Sequence, residues 1–188
     1  MSPTPLDLWM PILLAAFLAW LSSSLIHILL KYHNGDYLEL GNEDDVANAI
    51  RAGSPSPGVY TIPFCVDMKK MGDPAMQEKF ANGPVSFVTV FPNGMPQMGK
   101  LIGQQMLFFL FGCFLIAYCA GLALAPGAEY LAVFRFVSAV GFLTFGWGLI
   151  PFSIWYGLSA LTTAKYMLDA LIYALIVAGV FAWLWPAV

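Results

Sequence analysis

Tyr166-Met167-Leu168-Asp169-Ala170-Leu171-Ile172-Tyr173-Ala174-Leu175-Ile176-Val177-Ala178-Gly179-Val180-Phe181-Ala182-Trp183-Leu184-Trp185-Pro186 is an apolar run broken by one charged side chain. At 1.5 Å per residue a helix over this stretch is long enough to cross a hydrocarbon core of about 30 Å. Asp169 falls about one turn inside it. A carboxylate held in lipid costs about 2.5 to 3.5 kcal/mol on insertion scales, so it needs a partner, a neutral form or a purpose. Alanines at 170, 174, 178 and 182 recur every fourth residue. Such a row forms a flat ridge that lets a second backbone approach closely, which predicts a packed bundle.

Three further segments have the same character: Leu8 to Leu30, Leu101 to Leu124 and Tyr130 to Tyr156. Charged residues make up only 10% of the chain, against about a quarter in soluble domains, and the mean hydropathy is +0.75. The sequence therefore predicts an all-α membrane protein, a four-helix transmembrane bundle. The first segment has no Lys or Arg before it and is longer than the apolar stretch of a secretory signal, so it reads as a retained anchor. Small residues also recur along the other helices, at Ala15, Ala19 and Ser23, at Ala117, Gly121 and Ala125, and at Gly141, Gly146 and Gly148. Pro151 should kink the third helix near its end.

Lys31, Arg51, Lys69, Lys70, Lys79, Lys100 and Lys165 all fall on one side of a four-span topology, and only Arg135 falls on the other. Positive residues near helix ends stay cytoplasmic, so the expectation is that both termini lie outside the cytoplasm. The chain then divides into a first helix (1–31), a cytoplasmic loop domain (32–100) and a three-helix portion (101–188). The loop domain reads as a small α+β insertion between helices 1 and 2. Asn42 to Arg51 has an N-cap residue, early acids and a late Arg, as a short helix wants. Asp73-Pro74 opens a second helix, which runs to Phe80. Val59–Pro63 and Val85–Phe91 read as strands, the second with apolar side chains on both faces. Two strands are marginal by themselves, so this unit calls for the bilayer surface, the bundle or another chain as cover.

Several groups could carry chemistry. Cys65, Met68 and Met71 offer soft thiol and thioether ligands of the kind that hold copper(I), although Lys69 and Lys70 would repel a cation and packing explains the methionines equally well. Cys113 and Cys119 read as small buried hydrophobes on different faces of the second helix, not as a disulfide. Depth links a second group. His27 precedes Lys31 by four residues, Gln104 follows Lys100 by four and Asp169 follows Lys165 by four. His27, Gln104, Gln105 and Asp169, with Tyr173 beneath, would form an inner-leaflet polar pocket for a proton, a quinone-like headgroup or a small polar ligand. The alternative is structural, with Lys165 neutralising Asp169 along the helix and the other groups bonding between helices. On this reading His27 points into the bundle and His33, just past the helix, is solvated. Two histidines six residues apart on one helix would diverge by about 120°.

Ser153-Ile154-Trp155-Tyr156-Gly157, the run from Asp169 to Leu175 and on to Trp183-Leu184-Trp185-Pro186, and Lys31-Tyr32-His33 resemble a family of bacterial inner-membrane proteins of unassigned function. The resemblance implies a bacterial inner membrane and transfers no activity, ligand or site. No GxSxG, HExxH, Walker or CxxC motif is present, and a net charge of −3 gives no footprint for nucleic acid. The sequence thus predicts a non-enzymatic accessory, scaffold or assembly subunit that needs no cofactor, with the lipid bilayer and a protein partner or second copy as its contacts. The alternative is a ligand- or metal-handling protein, a small carrier or copper-binding factor using the polar pocket or the Cys65 loop. An enzyme with an unfamiliar site around His27 and Asp169 is a third reading.

Overall fold

In the computed structural model, which describes residues 2–187, helix α1 (Trp9–Leu25) runs into a π-helical turn at Ile26–Leu30. It stops at Lys31, whose φ of 52° is left-handed and reverses the chain. After α2 (Glu43–Ala52), β1 (Gly58–Ile62), α3 (Pro74–Asn82) and β2 (Ser86–Val90) come α4 (Met98–Ala123), α5 (Tyr130–Phe145), the short α6 (Ile150–Trp155) and α7 (Ala160–Trp183). The chain forms two compact units, one of Met1–Tyr37 with Gln97–Val188 and one of Leu38–Pro96. The second unit thus starts at Leu38, later than residue 32, because the stretch just past α1 is bonded to α7.

Among the described residues four stretches are long and apolar enough to cross a membrane: Trp9–Leu30, Met98–Ala123, Tyr130–Trp155 and Ala160–Trp183. The chain is an integral membrane protein, because a helix satisfies its own backbone in lipid. Within the first unit α1 packs on α4 and α7, and α5 packs on the same two helices. The close approach rests on small residues. Ala170, Ala174, Ala178 and Ala182 are all buried. A Cβ built at Gly141 would lie 3.1 Å from the Cβ of Ala174, and one at Gly146 would lie 2.7 Å from the Cβ of Ala170. Phe109 fills the centre, its ring 5.6 Å from Phe145 and 5.2 Å from Tyr173 between centroids.

The third span breaks earlier than Pro151. Gly146 ends α5, a 3₁₀ turn covers Trp147–Leu149, and Pro151 sits in the first turn of α6, where its missing N–H leaves no bond unmade. Cys113 is buried, whereas Cys119 is exposed, since α4 turns its packed face toward Gly112, Ile116 and Ala120. The two terminal segments share one end of the unit. Gly127 N donates to Pro186 O at 2.7 Å, Trp185 Nε1 donates to Ala125 O at 2.9 Å, and Gly121 leaves room for the carbonyl of Pro3.

The second unit follows local rules closely. Glu43, Asp44 and Asp45 occupy the first turn of α2 and Arg51 the last, each charge complementing the helix dipole. β1 and β2 pair antiparallel from Gly58 opposite Val90 to Ile62 opposite Ser86. None of residues 38–96 is buried, and Phe64, Val66, Phe91 and Met95 are among the large apolar side chains left exposed.

The packing at Gly146 makes a direct prediction. Gly146→Ala should lower thermal stability in detergent by about 1 to 3 kcal/mol through overpacking against Ala170. Gly179→Ala, at a helical position with nothing within 4 Å, should be neutral or stabilising by up to about 1 kcal/mol. Equal effects would remove the close-packing account of the α5–α7 contact.

Candidate functional site

Ser159 caps α7 by accepting from Thr162 N at 3.0 Å, and this start sets the rotation of the helix that follows. Thr162, Lys165, Tyr166 and Asp169 then fall along one side of its first turns, with Asp169 only 2% exposed. The partner elements come from the end of α1. The π-helical turn widens the helix by one residue, and Lys31 N reaches back to Ile26 O at 3.3 Å. The left-handed Lys31 and the 3₁₀ turn at Asn34–Asp36 then fold Tyr32, His33 and Asp36 back onto α7.

The result is a continuous chain of polar groups. Tyr32 Oη donates to Asp169 Oδ1. His33 Nε2 lies 2.9 Å from Asp169 Oδ2, and His33 Nδ1 lies 2.7 Å from Asp36 Oδ2. Lys165 Nζ donates to Asp36 Oδ1 at 2.5 Å and to the backbone oxygen of Tyr32 at 2.8 Å. His33 thus bridges the two acids through both of its ring nitrogens, and Lys165 closes the chain on Asp36. This mutual bonding is what allows two acids, an imidazole and an ammonium to be packed at the end of an apolar bundle.

His27 stands at the edge of this network. Its ring stacks on His33 with centroids 4.9 Å apart and planes 6° apart, and on its other face His33 meets Tyr166 at 4.7 Å. His27 Nδ1 lies 3.0 Å from Ser23 O. A carbonyl can only accept, so Nδ1 donates, and in the neutral ring Nε2 then carries the lone pair. One ring nitrogen from each histidine and one Asp169 oxygen lie within 4.8 Å of one another.

These positions differ from those expected of the two histidines. His33 is buried and His27 exposed, because the reversal at Lys31 turns His33 inward while the π-helical turn puts Ile26 on the packed face below Ser23. The reversal also removes the divergence that one continuous helix would impose, and the rings stack. Lys165 pairs with Asp36 and not with Asp169. Of the pocket residues read from the sequence, His27 and Asp169 come together, and Tyr173 lies one turn deeper, buried against Phe109. Gln104 and Gln105 are exposed on α4. In the second unit Cys65 Sγ lies 3.4 Å from Asp67 O, while Met68 and Met71 are exposed on a 3₁₀ turn. Tyr32, His33, Asp36 and Lys165 carried a signal in the sequence: a buried carboxylate needs a partner, and the first polar cluster after an adjacent helix is a natural supplier.

The Lys165 ammonium beside Asp36 holds that carboxyl below the usual carboxylate range, against the opposing effect of desolvation and with help from His33. Because the folded-state pKa is depressed, its stabilisation is fully present above the ordinary carboxylate pKa and is lost as pH falls through the lowered value. Lys165→Met should therefore move the acid limb of a thermal-stability profile to higher pH. Lys79→Met, at an exposed position in α3, should leave it in place. An unmoved limb in Lys165→Met would sink the pairing.

The chain matches no protein-family model and has no significant match among curated proteins or solved structures, so the functional reading rests on the geometry of this cluster.

Proposed function

We propose that this chain is a non-enzymatic, ligand-handling membrane protein that holds a small polar or cationic ligand between His27, His33 and Asp169 at one end of its helix bundle. One observation carries the reading. The network from Tyr32 to Lys165 bonds its own polar groups, yet His27 is stacked against it, exposed, with an Nε2 that the network does not use. An exposed histidine placed only for packing has no need of that alignment. The residues supply binding groups, and no nucleophile paired with a base is among them.

The topology in this reading follows the lysines. The cluster and residues 38–96 face the cytoplasm of a bacterial cell, the helices cross its inner membrane, and both termini are outside. Lys31, Lys100 and Lys165 lie at the span ends on that side, and the two terminal segments share the opposite end of the first unit.

A second reading, an accessory or assembly subunit of a membrane complex, is favoured by the unit at 38–96. A unit of that length without a buried residue lacks the cover that stabilises small domains, and its apolar side chains suit a partner surface.

Native mass spectrometry of the full chain released from its membrane in mild detergent, with nothing added, separates the two. A retained small mass that disappears in Asp169→Asn is the expected result. A bare mass in wild type and variant alike would remove the ligand-handling reading, and a second polypeptide at fixed stoichiometry would establish the accessory one. An alkaline-phosphatase fusion after Val188 should be active, and an inactive fusion would reverse the orientation.

A further inference from the structure

The donor set of this cluster is narrower than a general polar pocket, and it selects a class of ligand. We infer that His27, His33 and Asp169 form a binding site for a single divalent transition-metal ion of the zinc class, an inference that rests on the ligand-handling reading above. Two imidazoles and one carboxylate match the N/O donors of zinc, with a fourth position open to water or a further ligand. Magnesium and calcium prefer oxygen alone, and copper(I) prefers sulfur, none of which is in the cluster.

The groups behind the three ligands make the stronger argument. A ligating histidine almost always donates its other ring N–H to a carbonyl or carboxylate, which fixes the tautomer and aims the lone pair. Both histidines here are held in that way. His27 Nδ1 is bonded to Ser23 O at 3.0 Å, and His33 Nδ1 to Asp36 Oδ2 at 2.7 Å, with Asp36 itself anchored by Lys165. Asp169 is oriented by Tyr32 through the oxygen that does not face His33. Each of the three ligands thus has its own orienting partner, drawn from a different part of the end-of-bundle network. That arrangement needs no ion to exist, but it is what a site for one requires.

Binding is an exchange. The ion takes the lone pair of His33 Nε2 in place of the proton now shared with Asp169, and that proton leaves to solvent. The hydrogen bond from His33 Nδ1 to Asp36 stays. The ligand atoms, now within 4.8 Å of one another, must close to about 3.3 Å around a tetrahedral ion. His27, the exposed member of the three, makes the adjustment while its Nδ1 stays on Ser23 O, whereas His33 and Asp169 are buried.

The deciding experiment titrates zinc chloride into the full chain, purified in detergent through a histidine-free tag and stripped with chelator. Cobalt(II) chloride in parallel reports coordination through its visible absorption. Wild type should bind one equivalent with the intense bands of four-coordinate cobalt. His27→Ala, which alters an exposed side chain and leaves the buried network whole, should bind at least about 10-fold more weakly, and Asp36→Asn should weaken binding by roughly 10- to 100-fold through the misaimed His33. Failure of wild type to bind zinc, or equal affinity in His27→Ala, would overturn the site. If zinc fails while mass spectrometry shows an organic molecule that is lost in Asp169→Asn, the metal assignment falls and the ligand-handling reading stands. If neither binds, both fall.

Discussion

Placing Asp169 one turn inside an apolar helix at 2% exposure is a constraint that the rest of the bundle end answers. A lone carboxylate there would lose its hydration with nothing in return. The chain responds by ending α1 irregularly. A straight helix beyond Leu25 would carry Tyr32 and His33 away from α7, so the π-helical turn and the left-handed Lys31 are the geometric means by which the partners are delivered. Once His33 is in place its second nitrogen is also buried and requires an acceptor, which Asp36 supplies. Asp36 brings a further negative charge, and Lys165, one turn before Asp169, balances it. Each group is the solution to a problem created by the one before.

This dependence explains what could be read from the sequence and what could not. The alanines from Ala170 to Ala182 were legible as a packed face because a period of four has one meaning on a helix, and the structure buries all of them. Depth was legible too, since counting four residues from a juxtamembrane lysine places His27 and Asp169 in one layer. Azimuth was not. Gln104 shares that layer by the same count, yet the small residues that mark the packed face of α4, Ala117 and Gly121, lie toward its other end, and the structure turns Gln104 outward. The burial of His33 was illegible for another reason. It depends on a left-handed residue at Lys31, where no glycine or asparagine marks the turn.

Residues 38–96 show the reverse balance. Caps, first-turn acids, a proline at a helix start and strand alternation are local signals, and helices and strands stand within a few residues of where those signals put them. Burial is not a local property. The alternation of β2 announced apolar side chains on both faces, and in the structure Val88 and Val90 are half-buried while Phe87 is exposed. Secondary structure in this unit is thus specified locally, without a buried core of its own.

Stability and binding are separable in the cluster because of the position of His27. Asp169, His33, Asp36 and Lys165 are mutually necessary, and loss of one leaves a charge or a donor unmatched in a buried place. His27 is outside that set of bonds. Its Nδ1 proton is satisfied by Ser23 in its own helix, its ring rests on His33, and none of the network's hydrogen bonds requires it. A side chain that contributes orientation without being needed by those bonds can be altered without dismantling the bundle. It is therefore the position at which a binding role and a structural role give different answers.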